Sequence, residues 1–186
     1  MTSHWIFQAN PTMYDIDAAL AQLDQIMWRT PQYAASIAPG DVVAIWRSGN
    51  DAGIVGVGRV AEYPGERTEP VEDAKFALSL NEAERTTRVP LAVQSCDFVA
   101  KADVAELAGW SAHQIITAPM GTVFQVSQAQ WASLSSLLPD VPSVETVAIG
   151  VPPAFGWEER RKDVYPLPGG YGGYLDSLAA ICTQVA

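Results

Sequence analysis

The residues able to do chemistry are few. The chain has two histidines and two cysteines. His4 and His113 are far apart, and neither has metal-ligand spacing with another histidine or with a cysteine pair. Cys96 and Cys182 are equally isolated. In a reducing compartment they read as buried or idle thiols, with a disulfide or a catalytic thiol as the lesser alternative. A nucleophile assembled in space from Cys96 and His4 or His113 is a reading that nothing local supports. Asp15, Asp17 and Asp51 are the acids available to a hydrolase, but their contexts are those of helix caps and turns. Gly53, Gly56 and Gly58 run in the order GxxGxG, without the helix that a dinucleotide site requires, and there is no P-loop. No motif demands a cofactor or a metal.

The aromatic residues say more. There are six tryptophans in 186 residues. Core packing accounts for Trp131 and for one of Trp5 and Trp46. Trp28 stands beside Arg29, Thr30 and Pro31, where the end of a helix would present it to a cavity. An aromatic face next to polar groups is what base recognition needs, and stacking is worth about 1–3 kcal/mol per base. Trp5 or Trp46 supplies a second wall, depending on which strand face turns inward. Gln8, Asn10 and Ser48 suit the edge of a cytosine or adenine. Arg29 and Arg47 flank these positions and suit phosphates, with Gly49 in the adjoining turn. The competing reading is that Trp28 plugs the core beneath its helix.

The elements that would position these residues follow from periodicity. His4 to Asn10 alternates as a strand, with Trp5, Phe7 and Ala9 on one face. Asp15 is a plausible N-cap, and Ile16, Leu20, Leu23, Ile26 and Met27 follow helical spacing to a stop near Trp28. Val42 to Trp46 and Gly53 to Tyr63 form a hairpin around Ser48-Gly49-Asn50-Asp51. Gly56 and Gly58 share a face, which suggests a bend or a close backbone approach. Pro64 to Asp73 reads as an acidic loop and Val89 to Val99 as a strand. Lys101 to Leu107 reads as a short helix and Thr122 to Val126 as a strand. A helix begins at Ser127, where Ser127 and Gln130 have capping-box spacing. It turns Trp131, Leu134, Leu137 and Leu138 to the core. Local strand pairing with irregularly placed helices predicts an α+β fold, a mixed-strand pseudo-barrel with flanking helices.

The chain is 48% hydrophobic and 17% charged, with a net charge of −10. It has enough apolar content for one core and too little charge for wholesale disorder. No apolar run is long enough for a membrane helix, and no secretory signal is visible, so a cytoplasmic location is expected. The acidic balance opposes nonspecific nucleic-acid binding, which depends on phosphate neutralisation. Any such affinity must come from a base pocket and a local basic rim. Residues 139–186 read as a Pro/Gly-rich linker and a C-terminal segment. That segment is expected to dock on the barrel through Phe155, Trp157, Tyr165, Tyr171 and Tyr174.

Four stretches, HWIFQANP, IMWRTPQ, APGDVVAIWRSGNDAGIVGVGRV and GTVFQVSQAQWASL, together resemble the EVE domain, a PUA-like relative of the YTH readers. The resemblance covers residues 3–138. It implies a PUA-like fold and a non-enzymatic reader of a modified base, chiefly 5-methylcytosine or its oxidised forms in DNA. It also implies a partner among restriction or other nucleic-acid-processing effectors. By position Trp28 matches the family's cage aromatic, and Arg47, Ser48 and Gly49 match the turn bordering the pocket. Gln8-Ala9-Asn10 replaces a more usual Ser-Glu-Pro, which bears on base preference. A modified-RNA reader and a small PUA-like hydrolase acting on a modified nucleoside are the competing readings.

Overall fold

The computed structural model describes residues 2–30, 32–68, 70–78 and 86–143. All of these fall in one compact unit, Met1–Glu145. The expected docking of the C-terminal segment lies outside the described residues.

Among the described residues, seven strands build one sheet. They are β1 (His4–Ala9), β2 (Gln25–Arg29), β3 (Val42–Arg47), β4 (Gly53–Val60), β5 (Gly65–Arg67), β6 (Thr86–Ala100) and β7 (Val123–Val126). The order is β2-β6-β4-β3-β1-β7, with β5 also paired to β6. The helices are α1 (Ile16–Gln22), α2 (Val71–Ala74), α3 (Lys101–Glu106), α4 (Gln114–Thr117) and α5 (Gln128–Leu134). Among the described residues only β1 and β3 run parallel; every other strand pairing is antiparallel. The sheet is not closed into a continuous barrel. Mixed strands with flanking helices are the α+β architecture expected.

The sheet buries both faces. Trp5, Phe7 and Ala9 of β1 join Val43, Ile45, Val89, Leu91 and α1 in one core. Ile6, Ala44, Trp46 and Ile54 join Val104, Trp110, Ile115 and Leu134 in a second core on the opposite face. The period-2 alternation of a strand sorts neighbours into these two layers. A side chain at Gly56 would bring its Cβ to 2.9 Å from the Gln94 carbonyl oxygen and 2.9 Å from Leu20 Cδ1. Gly56 thus lets α1 press onto the sheet. β4 shifts register against both β3 and β6 between Ile54 and Gly56, in the manner of a bulge that bends the sheet.

Three elements depart from the sequence reading. The first helix ends at Gln22, and Gln25–Arg29 is a strand. The spacing of Leu23, Ile26 and Met27 fits a helix, but Gln25 to Arg29 also alternates exposed and buried positions, and pairing with β6 decides between them. Residues 64–73 are not a featureless loop, because Gly65–Arg67 pairs with Thr86 to Arg88 and Val71–Ala74 forms a helical turn. Leu137 is 44% exposed rather than core-facing. It sits in a 3₁₀ turn, Ser135–Leu137, that departs from the helical phase of α5. The capping box is present as expected: Ser127 Oγ accepts from Gln130 N, and the Gln130 side chain accepts from Ser127 N.

Candidate functional site

Trp28 lies within β2, one residue before its end and opposite Val89 of β6, and not at a helix end. It is 8% exposed and belongs to the core that contains Phe7 and Trp5. Its ring centroid is 5.6 Å from that of Phe7, with the planes at 46°. The carboxylate of Asp73 accepts from Met27 N at 2.6 Å and from the Tyr14 hydroxyl. This ties the segment around α2 to β2 and to the turn after β1. Tyr14 in turn meets Phe76 edge-on at 6.4 Å. Arg29 follows Trp28 and is exposed.

Trp5 is fully buried and held at two points. Its indole Nε1 donates to Asp41 Oδ2 at 2.9 Å, and its ring lies 5.7 Å from that of Tyr33. Trp46 is on the other face. The register pairs Trp46 with Gln8 and Trp5 with Val43, so the two strand tryptophans must point in opposite directions. The aromatic wall that shares a core with Trp28 is therefore Phe7 together with Trp5; Trp46 is not part of it.

The polar candidates divide in the same way. Gln8 points to the Trp46 face. Its Nε2 donates to the carbonyls of Gly121 at 3.1 Å and Pro119 at 3.3 Å, while its Oε1 is buried with no partner among the described residues. Trp46, Ser48 and Gly49 line one cleft of about 280 Å³ with Lys101, Ile115 and Pro119. Ser48 N donates to the Ala9 carbonyl, which joins this hairpin to the end of β1. Arg47 points the other way. It pairs with Asp17 at 2.9 Å, donates to the Asp51 carbonyl and lies 5.0 Å over the Phe98 ring. Asn10 is exposed at the end of β1, where its Oδ1 accepts from Thr12 N and Oγ1. The structure thus gathers Gln8, Trp46, Ser48 and Gly49 on one face, and Trp5, Trp28 and Arg47 on the other.

The acids and thiols have ordinary duties. Asp15 caps α1 by accepting from Ala18 N at 3.1 Å, and Asp17 is engaged by Arg47. Burial, with a smaller contribution from Asp97, pushes the Cys96 thiol up to about 11, so little thiolate forms near neutrality. Burial lowers the His4 pKa against a weaker opposing pull from Asp41. The His4 ring stacks on Trp131 at 4.9 Å. His113 Nδ1 accepts from Ile115 N at 3.2 Å, which leaves Nε2 to donate to the Gln125 carbonyl at 3.0 Å. Capping by His113 was not legible beforehand, because histidine is outside the usual N-cap set. No group of His, Cys, Asp or Glu among the described residues has an arrangement suited to a metal ion. No helix among them is long and apolar enough to cross a membrane.

No curated protein matches the chain. Solved structures do. A hypothetical protein from Leishmania major aligns at 15% identity with a TM-score of 0.55, covering 73% of this chain and 94% of its own. A protein from Pseudomonas putida aligns at 21% identity with a TM-score of 0.53, covering 72% and 98%. Human THYN1, solved in complex with DNA containing 5-methylcytosine, aligns at 14% identity with a TM-score of 0.53, covering 76% and 100%. At these identities the likeness is one of fold. The EVE domain matches residues 3–137, most of the chain. With the two-faced mixed sheet and the helices that flank it, this places the chain in the EVE domain family.

Proposed function

We propose that this chain is a non-enzymatic reader of a modified nucleic-acid base, 5-methylcytosine or an oxidised derivative in DNA. The observation that carries the reading is Trp28. It stands with Phe7 in the sheet's core, one residue before an exposed arginine, in a domain whose fold is shared with a human protein solved on 5-methylcytosine DNA. A base flipped out of a duplex would stack on Trp28, with Phe7 and Trp5 closing the far side. The amide nitrogen of Asn10 would meet its edge, and Arg29 and Arg47 would meet the phosphates. Extrusion costs a few kcal/mol, so stacking alone does not repay it, and the methyl group must be buried too. Trp28 is 8% exposed, so its neighbours have to give way as the base enters, a change common among regulatory complexes. Binding in this manner needs no large positive surface, in keeping with a net charge of −10. A hydrolase would need an acid-base pair beside Trp28. Asp15 and Asp17 are instead committed to a cap and an ion pair, and Asp73 to Met27 N, just before Trp28, and to the Tyr14 hydroxyl, which favours binding over catalysis.

The test is titration of the full chain with duplexes identical except for one cytosine methyl group, alongside the matching RNA. One methyl group in an apolar pocket discriminates by about 10- to 200-fold. A preference of at least about tenfold for the methylated DNA is expected. Equal affinity for both duplexes would reject the methylcytosine reading, and a preference confined to RNA would favour the RNA alternative.

A further inference from the structure

Tyr33 is the sole non-glycine residue with positive φ among the described residues, at φ 58. Non-glycine residues rarely adopt this region, and those that do often stand at binding sites. The ring is held in place, 5.7 Å from the ring of Trp5, which is itself pinned to Asp41. Yet Tyr33 is 48% exposed. Two adjoining cavities, of about 400 and 350 Å³, share Tyr33, Gln114 and Phe124 as lining. Gln32, Met120 and Val123 complete the first, and Met120 is 83% exposed. No Asp, Glu, Lys or Arg lines either cavity.

A strained, exposed, rigidly backed aromatic ring with carboxamides around it is matched to a flat, neutral, hydrogen-bonding partner. Carboxamides donate and accept, and every base offers a π-face. Phosphate is a poor fit, because no Lys or Arg lines the site and His113, in the second cavity, is engaged by Ile115 N and the Gln125 carbonyl. We infer that Tyr33 is a stacking platform for a second, unmodified nucleobase, with Gln32 and Gln114 meeting its edge. Neither cavity includes Trp28 or Phe7, although Trp5, which backs Tyr33, shares a core with both. The inference rests on the reading of the chain as a nucleic-acid binder, but it does not depend on the modified base.

The probe is an unmodified single-stranded DNA hexamer, titrated at low salt against the full chain and three variants. Tyr33→Phe keeps the ring and should bind as wild type does. Tyr33→Ala and Tyr33→Leu remove it and should lose about tenfold in affinity, the scale of one stacking face. Leu keeps apolar bulk, so its failure to bind separates stacking from packing, and melting temperatures confirm that the variants fold. Equal affinity of wild type and Tyr33→Leu overturns the inference, as does a wild-type chain that does not bind the hexamer. If the hexamer binds through Tyr33 but no methyl preference exists, the methylcytosine reading fails alone. If the preference exists but Tyr33 is silent, this second site fails alone.

Discussion

Replacing Asp41 by alanine should lower the stability of the domain by roughly 3–5 kcal/mol. Asp41 is 2% exposed, and its carboxylate accepts from Ser3 N at 2.8 Å, Trp5 Nε1 at 2.9 Å and Ala38 N at 3.0 Å. Hydrogen bonds to a charged group contribute about 1.5–3 kcal/mol each, and a buried donor left unpaired costs about 1–3 kcal/mol. The indole loses most, because it is fully buried; water reaches the backbone donors more easily. Asp41→Asn keeps a carbonyl for one or two of the donors and should lie between wild type and Asp41→Ala. Urea denaturation followed by far-UV circular dichroism measures the differences. Asp41→Ala should also release Trp5 and with it Tyr33, so the hexamer affinity should fall in the same variant. A loss below about 1 kcal/mol would mean that water replaces the carboxylate at all three donors.

The second large effect concerns Trp28. Removing a buried tryptophan leaves a cavity, and Trp28→Ala should cost about 3–5 kcal/mol in stability. Because domains of this size are held by only about 5–15 kcal/mol, Trp28→Leu is the more informative variant. It fills much of the space and abolishes the aromatic face. The preference for methylated over unmethylated duplex should fall to near unity in Trp28→Leu while the fold persists. Competition binding measured at fixed salt reads this directly. A leucine variant that is folded and still prefers the methylated duplex would show that Trp28 only packs the core.

The contrast between those two residues shows where sequence reading succeeds. β1, the hairpin around Ser48-Gly49-Asn50-Asp51, the Asp15 cap and the Ser127–Gln130 capping box are all set by neighbours within a few residues, and all were legible. β2 was not. Leu23, Ile26 and Met27 satisfy helical spacing as well as Ile26 and Trp28 satisfy alternation. Only the antiparallel partner, more than sixty residues away in β6, chooses between them. Gly65–Arg67 acquires its strand geometry in the same way, from Thr86 to Arg88. The candidate site has the same limit. Alternation puts Trp5 and Phe7 on one side of β1. Whether Trp46 joins them depends on the parallel register of β1 with β3, which pairs Trp46 with Gln8 and turns it away. Tyr33 gave no signal because its significance lies in a backbone angle and in the ring behind it.

On the proposed function, a modified base leaves its duplex and enters the aromatic core beside Trp28. A duplex carrying one 5-methylcytosine with a ¹³C-labelled methyl group tests this most directly, by the methyl resonance at saturating protein. Enclosure by Trp28 and Phe7 should move that resonance upfield through the ring currents of both side chains, and the displacement should be lost with Trp28→Leu. A methyl resonance that stays at its duplex position while the DNA is fully bound would mean that the base does not enter beside Trp28.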